Sequence, residues 1–229
     1  MEIKDNNING ILVKDNYSKL YKLLRNDENI SNKRVSIVKG DFENIYFKNT
    51  IYSYMMYEIE NRNIKLKDDL KKIRDSLKIV GLNNIELNRE INTLSESEKK
   101  LLMLAIALLN NPEVIIIEEP FKRLDLKNEK KLILLLRKIK EKYNKIIVFI
   151  STDSNILYKY TEHLIVYKDK VLLEGKTSTI LENVEFLKKN KLSVPEIVEF
   201  TYLAKSKYNV KIDYHSDIRD IIKDIYKHV

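Results

Sequence analysis

Two carboxylates, Glu118 and Glu119, close the continuous apolar run Val114 to Ile117. These are the side chains with most to offer chemically. The run is β-branched, the pattern of a parallel strand covered on both faces, and such a strand would present them at a fixed sheet end. Taken alone, the simpler reading is a parallel strand whose end happens to be acidic. Upstream, Leu94-Ser95-Glu96-Ser97-Glu98 opens an apolar helical stretch. Ser95 and Glu98 form S-x-x-E, the capping box in which each side chain satisfies the other residue's backbone N–H. Downstream, Arg123-Leu124-Asp125 forms a loop before the next helix.

Several absences limit the chemistry. The chain has four glycines, Gly10, Gly40, Gly81 and Gly175, all isolated, and it has no glutamine and no cysteine. A phosphate cradle of the form GxxxxGK[ST] needs glycines, because consecutive N–H groups must be exposed at unusual dihedrals. No two glycines here have that spacing. The strand–turn–helix from Gly10 to Asn26 has the right order of elements, but its turn, Lys14 to Ser18, carries no glycine. Lys19 follows as a lysine at a helix start, where a solvated surface position is the simpler reading. Without cysteine there are no disulfides and no thiol chemistry. His163, His215 and His228 are dispersed, so no metal site is expected from them.

The elements that must position these residues alternate between strands and helices. Residues 1–13 read as one or two short strands, MEIKD and then Gly10 to Val13. Tyr17 to Leu24 is an amphipathic helix, NDENISN a loop, and Val35 to Val38 a short buried strand. Residues 49–60 and Leu66 to Val80 read as helices, the second ended by Gly81. Lys127 to Tyr143 is the helix after the acidic strand, Ile146 to Ile150 a second buried strand, and Ser154 to Tyr160 a short helix. Leu164 to Tyr167 and Lys170 to Leu173 read as an antiparallel pair. From Ser178 to Val229 the chain is mostly helical, with Pro195 at one helix start and a last helix near Asp217 to Lys227. The alternation predicts an α/β fold with a largely parallel sheet.

Net charge is +8 and the sequence pI about 9.2. Lys122 to Lys145 carries ten Lys/Arg against three Asp/Glu. Leu132, Leu135, Leu136 and Ile139 share one face of that helix, so its charges read as the solvated face. The chain opens MEIKDNN, with no secretory pattern, and its longest apolar run, Leu101 to Leu109, is about half of what a membrane-spanning helix needs. A soluble, cytoplasmic chain is expected.

The stretch from Leu94 to Asp125, with Ile146 to Gly175, resembles an ATP-binding-cassette (ABC) transporter ATPase. IVGLNNIELNREINTLSESEKKLLMLAIALLNNPEVIIIEEP follows the family's order without a gap. The tail ILENVEFLKKNKLSVPEIVEFTYL is similar to the energy-coupling-factor (cobalt- and vitamin-importer) subfamily. The resemblance implies a P-loop-NTPase-like (RecA-like) α/β domain over residues 1–175, an inserted helical subdomain at about 50–111, and a small helical C-terminal region, 176–229. It implies ATP and Mg as cofactors. Glu118 would stand at the metal-binding position in place of the family's Asp, and Glu119 at the catalytic-glutamate position. Ser95 would be the survivor of the signature Leu-Ser-Gly-Gly-Gln, and Asp125 would match the D-loop Asp. Thr152 falls at the switch-histidine position and Lys19 is the one lysine on offer for phosphate. The Q-loop falls near Lys39 to Phe47, with Asp41, Glu43 or Asn44 in place of the absent glutamine.

With the Walker A glycines, the Q-loop glutamine and the switch histidine missing, the resemblance implies a degenerate, pseudo-ATPase subunit of an importer, peripheral on the inner face of the membrane. It would pair with a paralogous active ATPase, or with itself, and dock on a transmembrane coupling protein. Two alternatives stay open: an active ATP-hydrolysing transport subunit, and a basic nucleic-acid adaptor. The adaptor is weaker, since no base-reading motif or stacking platform is visible and no nucleic acid is expected.

Overall fold

The inner strands of this protein, β1, β3, β4 and β5, are short and largely buried runs, and their burial decides where the rest goes. The computed structural model describes residues 2–5, 7–14, 17–26, 28–41, 49–61, 68–208, 212–215 and 217–227. In chain order the first elements are β1 (Ile8–Val13), α1 (Tyr17–Asn26), α2 (Glu28–Ser31), β2 (Val35–Val38), α3 (Ile51–Asn61) and α4 (Asp69–Ile79). A 3-10 turn at Ile91–Thr93 leads into α5 (Glu96–Leu109), β3 (Val114–Glu118), α6 (Leu126–Tyr143), β4 (Ile146–Ser151) and α7 (Ser154–Tyr160). Then come β5 (His163–Lys168), β6 (Lys170–Lys176), α8 (Thr177–Leu181), α9 (Val184–Lys189), α10 (Glu196–Tyr208) and α11 (Ile218–Lys227). The chain divides into two compact units, one of residues 1–31 with 148–229, the other of residues 32–147.

In the second unit β2 and β3 pair in parallel, Val35 opposite Val114 through Val38 opposite Ile117, and the first residues of β4 follow β3 in the strand order. Val114 to Ile117 are all buried, as a strand covered on both faces requires. Glu113 fixes the start of this array. Its N–H donates to the Arg34 carbonyl at 2.8 Å, and its own carbonyl accepts from Ile146 N at 2.9 Å. The helices have legible ends. The Asp68 carboxylate accepts from Lys71 N at the start of α4, and Gly81, at φ +85, takes the left-handed position that ends it. The α6 helix stops at Asn144, left-handed at φ 50.

In the first unit the strand order is β4-β1-β5-β6. β1 and β5 are parallel, Asn9 opposite His163 through Val13 opposite Tyr167, and β6 returns antiparallel to β5. Gly10 lies inside β1, and a Cβ there would come within 2.9 Å of Leu164 Cδ1 and Thr161 Oγ1 and 3.2 Å of Leu157 Cδ2. This glycine is required by close packing, not by a turn.

The expected α/β alternation, the parallel core and the antiparallel pair at its end are all present. Three local expectations fail. Val35–Val38 is a strand but not a wholly buried one, because Val35 and Ile37 are only half-buried. Of MEIKD, residues 2–5 are described and are not a strand: Glu2 N donates to the Glu174 carboxylate and Lys4 N to Asn9 Oδ1, so side chains satisfy groups that a ladder would have used. NDENISN is not all loop, because it contains the single turn α2, with Ile30 buried at its centre. Residues 62–67, where the helix before Gly81 was expected to begin, lie outside the described residues, as do 209–211, 216 and 228–229 of the helical tail.

Replacing Gly10 by Val should cost about 2 kcal/mol through overpacking against Leu164, Thr161 and Leu157. Urea unfolding of the two proteins measures the difference, and equal midpoints would refute the packing role.

Candidate functional site

The register of β2 with β3 sends Lys39-Gly40 and Glu118-Glu119 out of the sheet side by side. Gly40 N–H donates to Glu118 Oε2 at 3.1 Å. A Cβ on Gly40 would lie 3.3 Å from Glu119 Cβ, so this glycine permits the close approach of the two strand ends. Burial pushes the Glu118 carboxyl above the ordinary carboxylate range, against the opposing effect of the Gly40 bond. Glu119 has φ +40 and Arg123 φ +64, left-handed backbone at residues that are not glycine. Such strain is held only where the surroundings over-determine it.

At Glu119 one restraint is Lys100, a residue that sequence reasoning missed. Lys100 sits in the second turn of α5 and is 6% exposed. Its ammonium donates to the Gly40 carbonyl at 3.0 Å and reaches the Glu119 carbonyl at 3.4 Å. One buried cation therefore ties the end of β2 to the residue after β3. Burial brings its pKa down to about 8, opposed by the charges of Asp41 and Glu119. The signal was a lysine on an otherwise apolar helix face, KKLLMLAIALL, which the sequence shows without saying what it meets.

Ser95 forms the expected capping box. Its hydroxyl accepts from Glu98 N at 3.3 Å and the Glu98 carboxylate accepts from Ser95 N at 2.9 Å. Arg89 Nη1 donates to Glu98 Oε1 at 2.8 Å. Burial works against the Glu98 charge, but the Ser95 bonds and Arg89 together outweigh it and hold the carboxyl below its usual range. Glu96 pairs with Lys99 at 3.0 Å and lies 3.7 Å from Arg123. Asp41, from the expected Q-loop region, pairs with Lys122 at 2.9 Å and lies 3.6 Å from Arg123. The Lys122 bond holds its carboxyl below the usual range. Glu43 and Asn44 lie outside the described residues. Asp125 caps α6, its carboxylate accepting from Asn128 N at 2.8 Å.

Glu118, Glu119, Ser95 and Asp125 all belong to the second unit, whereas Lys19 and Thr152 belong to the first. Lys19 pairs with Asp169 at 2.8 Å, at the β5–β6 turn. The exposed Thr152 accepts at its carbonyl from Ser193 Oγ at 2.7 Å, and Asp153 beside it caps α7. Residues 15 and 16, in the expected phosphate turn, lie outside the described residues.

A parallel strand leading into a helix, a capped helix leading into a buried strand with an acidic end, and an antiparallel edge define a P-loop-NTPase-type α/β protein. The family model described as ABC transporter matches residues 6–122, just over half of the chain, and the chain belongs to that family. The energy-coupling factor transporter ATP-binding protein EcfA of Methanocaldococcus jannaschii is 27% identical over 198 residues, 86% of this chain and 70% of that protein. Among solved structures, cbiO1 of Clostridium perfringens, part of the ABC transporter complex cbiONQ, superposes with a TM-score of 0.65 at 22% identity, over 88% of this chain and 90% of that one. A dimeric ATP-binding cassette bound to ADP and Pi gives 0.58 at 21% identity, over 77% and 88%. No helix among the described residues is long and apolar enough to cross a membrane.

Ser95→Ala should destabilise the protein by about 1 kcal/mol, the usual worth of an N-cap, as read from urea unfolding. The Lys100→Met variant tests the buried cation through pH. With a folded-state pKa near 8 against an ordinary 10.5, both states of the wild type are protonated below pH 8 and the desolvation cost is present in full. Above pH 8 the folded state gives up the proton first, so wild-type stability relative to the variant should rise between about pH 8 and 10.5. A difference that stays flat across that range would refute the assignment.

Proposed function

We propose that this chain is a subunit of an energy-coupling-factor-type importer that keeps the family's architecture without its own ATP chemistry. In this reading it is a scaffold or regulatory partner that pairs with an active, P-loop-bearing ATPase and sits on the cytoplasmic face of a transmembrane coupling protein. Residues about 50–111 act as its helical subdomain and 176–229 as its C-terminal region. The similarity to EcfA and to cbiO1 supports the importer class.

The observation that carries the loss of ATP chemistry is where the glycines are. A triphosphate cradle would have to be built between β1 and α1, and the one glycine in that part of the chain, Gly10, is committed to packing inside β1. Lys19, the nearest phosphate lysine by sequence, is turned to Asp169. The acidic end of β3 fits magnesium poorly as well. Mg²⁺ asks for charged or strongly polar oxygens in near-octahedral array. Here one Glu118 oxygen already accepts from Gly40, burial disfavours its charge, and the Lys100 ammonium is fixed on the adjacent carbonyls. At the start of α5, where the family presents backbone to phosphate, Glu96 and Glu98 repel an anion and Glu98 closes the capping box.

The active-ATPase alternative draws on Glu119, which keeps the catalytic position. Isothermal calorimetry of the purified chain with MgATP decides between the two. We expect no saturable heat from the wild type, and the same from Glu119→Gln. Micromolar binding that Lys19→Ala abolishes would overturn the proposal. Isolation from the native cell should recover the chain with a second ABC ATPase that carries an intact P-loop.

A further inference from the structure

Between α4, α5 and α6 of the second unit lies a cavity of about 460 Å³. Its apolar lining is aliphatic: Ile79, Val80, Leu101, Leu124, Leu132 and Leu135. The charged side chains that border it are Lys78, Lys100, Lys131 and Lys138, with no carboxylate among the lining residues. Asn128, Lys131, Leu132, Leu135 and Lys138 follow the i, i+3, i+4, i+7, i+10 spacing of one helix face, so α6 alone supplies a stripe on which two leucines lie between two lysines.

The lysines do not act alike. Lys100 turns its ammonium to the carbonyls of Gly40 and Glu119 and gives the cavity its buried stem. Lys78, Lys131 and Lys138 are exposed, and none meets a carboxylate at ion-pair distance among the described residues. Three exposed cations on one rim give the mouth of the hollow a positive potential that favours an anionic guest. The helix ends favour the same sign of guest. Ser97 and Asn128 bring the first turns of α5 and α6 to the wall, and Lys78 offsets the negative end of α4. The lining has no aromatic ring, so a nucleobase would find nothing to stack on. The volume is that of a small-molecule site, not a flat protein footprint.

We infer that this cavity binds a small anionic amphiphile: a single aliphatic chain of about ten carbons lying on Val80, Leu101, Leu132 and Leu135, with its carboxylate or phosphate head at the lysine rim that Lys78, Lys131 and Lys138 supply. The lysine-rich helix that the sequence presented only as a solvated face then has a second use. The inference does not depend on the loss of ATP chemistry, since neither the guest nor the three rim lysines enters the MgATP measurement.

The test uses the full chain and five probes below their micelle concentrations: decanoate, decyl phosphate, 1-decanol, inorganic phosphate and decyltrimethylammonium. Calorimetry and amide chemical shifts report binding. Decanoate or decyl phosphate should bind saturably at one site, with shifts at Val80, Leu101 and Leu135, and about tenfold more tightly than decanol. Which of the two binds better identifies the head group. Phosphate alone and the cationic amphiphile should give no saturable binding. The exposed double variant Lys131→Glu, Lys138→Glu should weaken the anionic amphiphile about tenfold while leaving the unliganded melting temperature unchanged. Leu135→Gln should weaken it through the floor. Absence of saturation by both anionic amphiphiles, equal affinity for decanol, or affinity unchanged by the double charge reversal would overturn the inference.

Discussion

One buried ammonium holds the second unit's acidic strand end in shape. Lys100 crosses from α5 to the carbonyls of Gly40 and Glu119 and so connects a helix, the exit of β2 and the exit of β3 in a single step. Burying a cation is costly, and two carbonyl acceptors with the charges of Asp41 and Glu119 nearby offset part of that cost. The Gly40 bond to Glu118 and the left-handed turn at Glu119 are both formed at this junction. The fixed ammonium also makes the strand end intrinsically less hospitable to a second positive charge.

Scarcity of glycine shapes the rest of the backbone. Gly10 sits where a side chain would collide, Gly40 where one would be tightly pressed, and Gly81 where a helix must end left-handed. Other left-handed positions fall to Asn111, Glu119, Arg123, Asn144, Asp169 and Lys191. Asn and Asp tolerate this conformation through local hydrogen bonding, whereas Glu, Arg and Lys bear more of the steric cost. Glu119 and Arg123 are two of the costly ones, and they bracket the loop that carries the chain from β3 to α6.

The parts of the fold that were legible in the sequence are those where one physical signal dominates. The apolar runs at Val114 and Ile146 read as covered strands and are buried from end to end of their apolar residues, and S-x-x-E at Ser95 announced its helix start to the residue. The run at Val114 also placed Glu118 at the end of β3 and Glu119 directly after it. What stayed hidden depends on partners distant in sequence. MEIKD has the alternation of a strand, but Glu174 and Asn9 take its amides. α2 is a single turn held by Ile30, too short to show a period. Lys100 is one lysine among 42 Lys/Arg until its acceptors are known, and left-handed backbone at Glu119 leaves no trace in residue type.

The bonds at Glu113 bear on how such a protein can be taken apart. Residues 32–147 interrupt a unit made of the two ends of the chain, and one residue binds both the incoming backbone at Arg34 and the outgoing backbone at Ile146. Both ends of the segment are therefore fastened at one residue, and whatever loosens the Glu113 backbone frees the entries of β2 and β4 together.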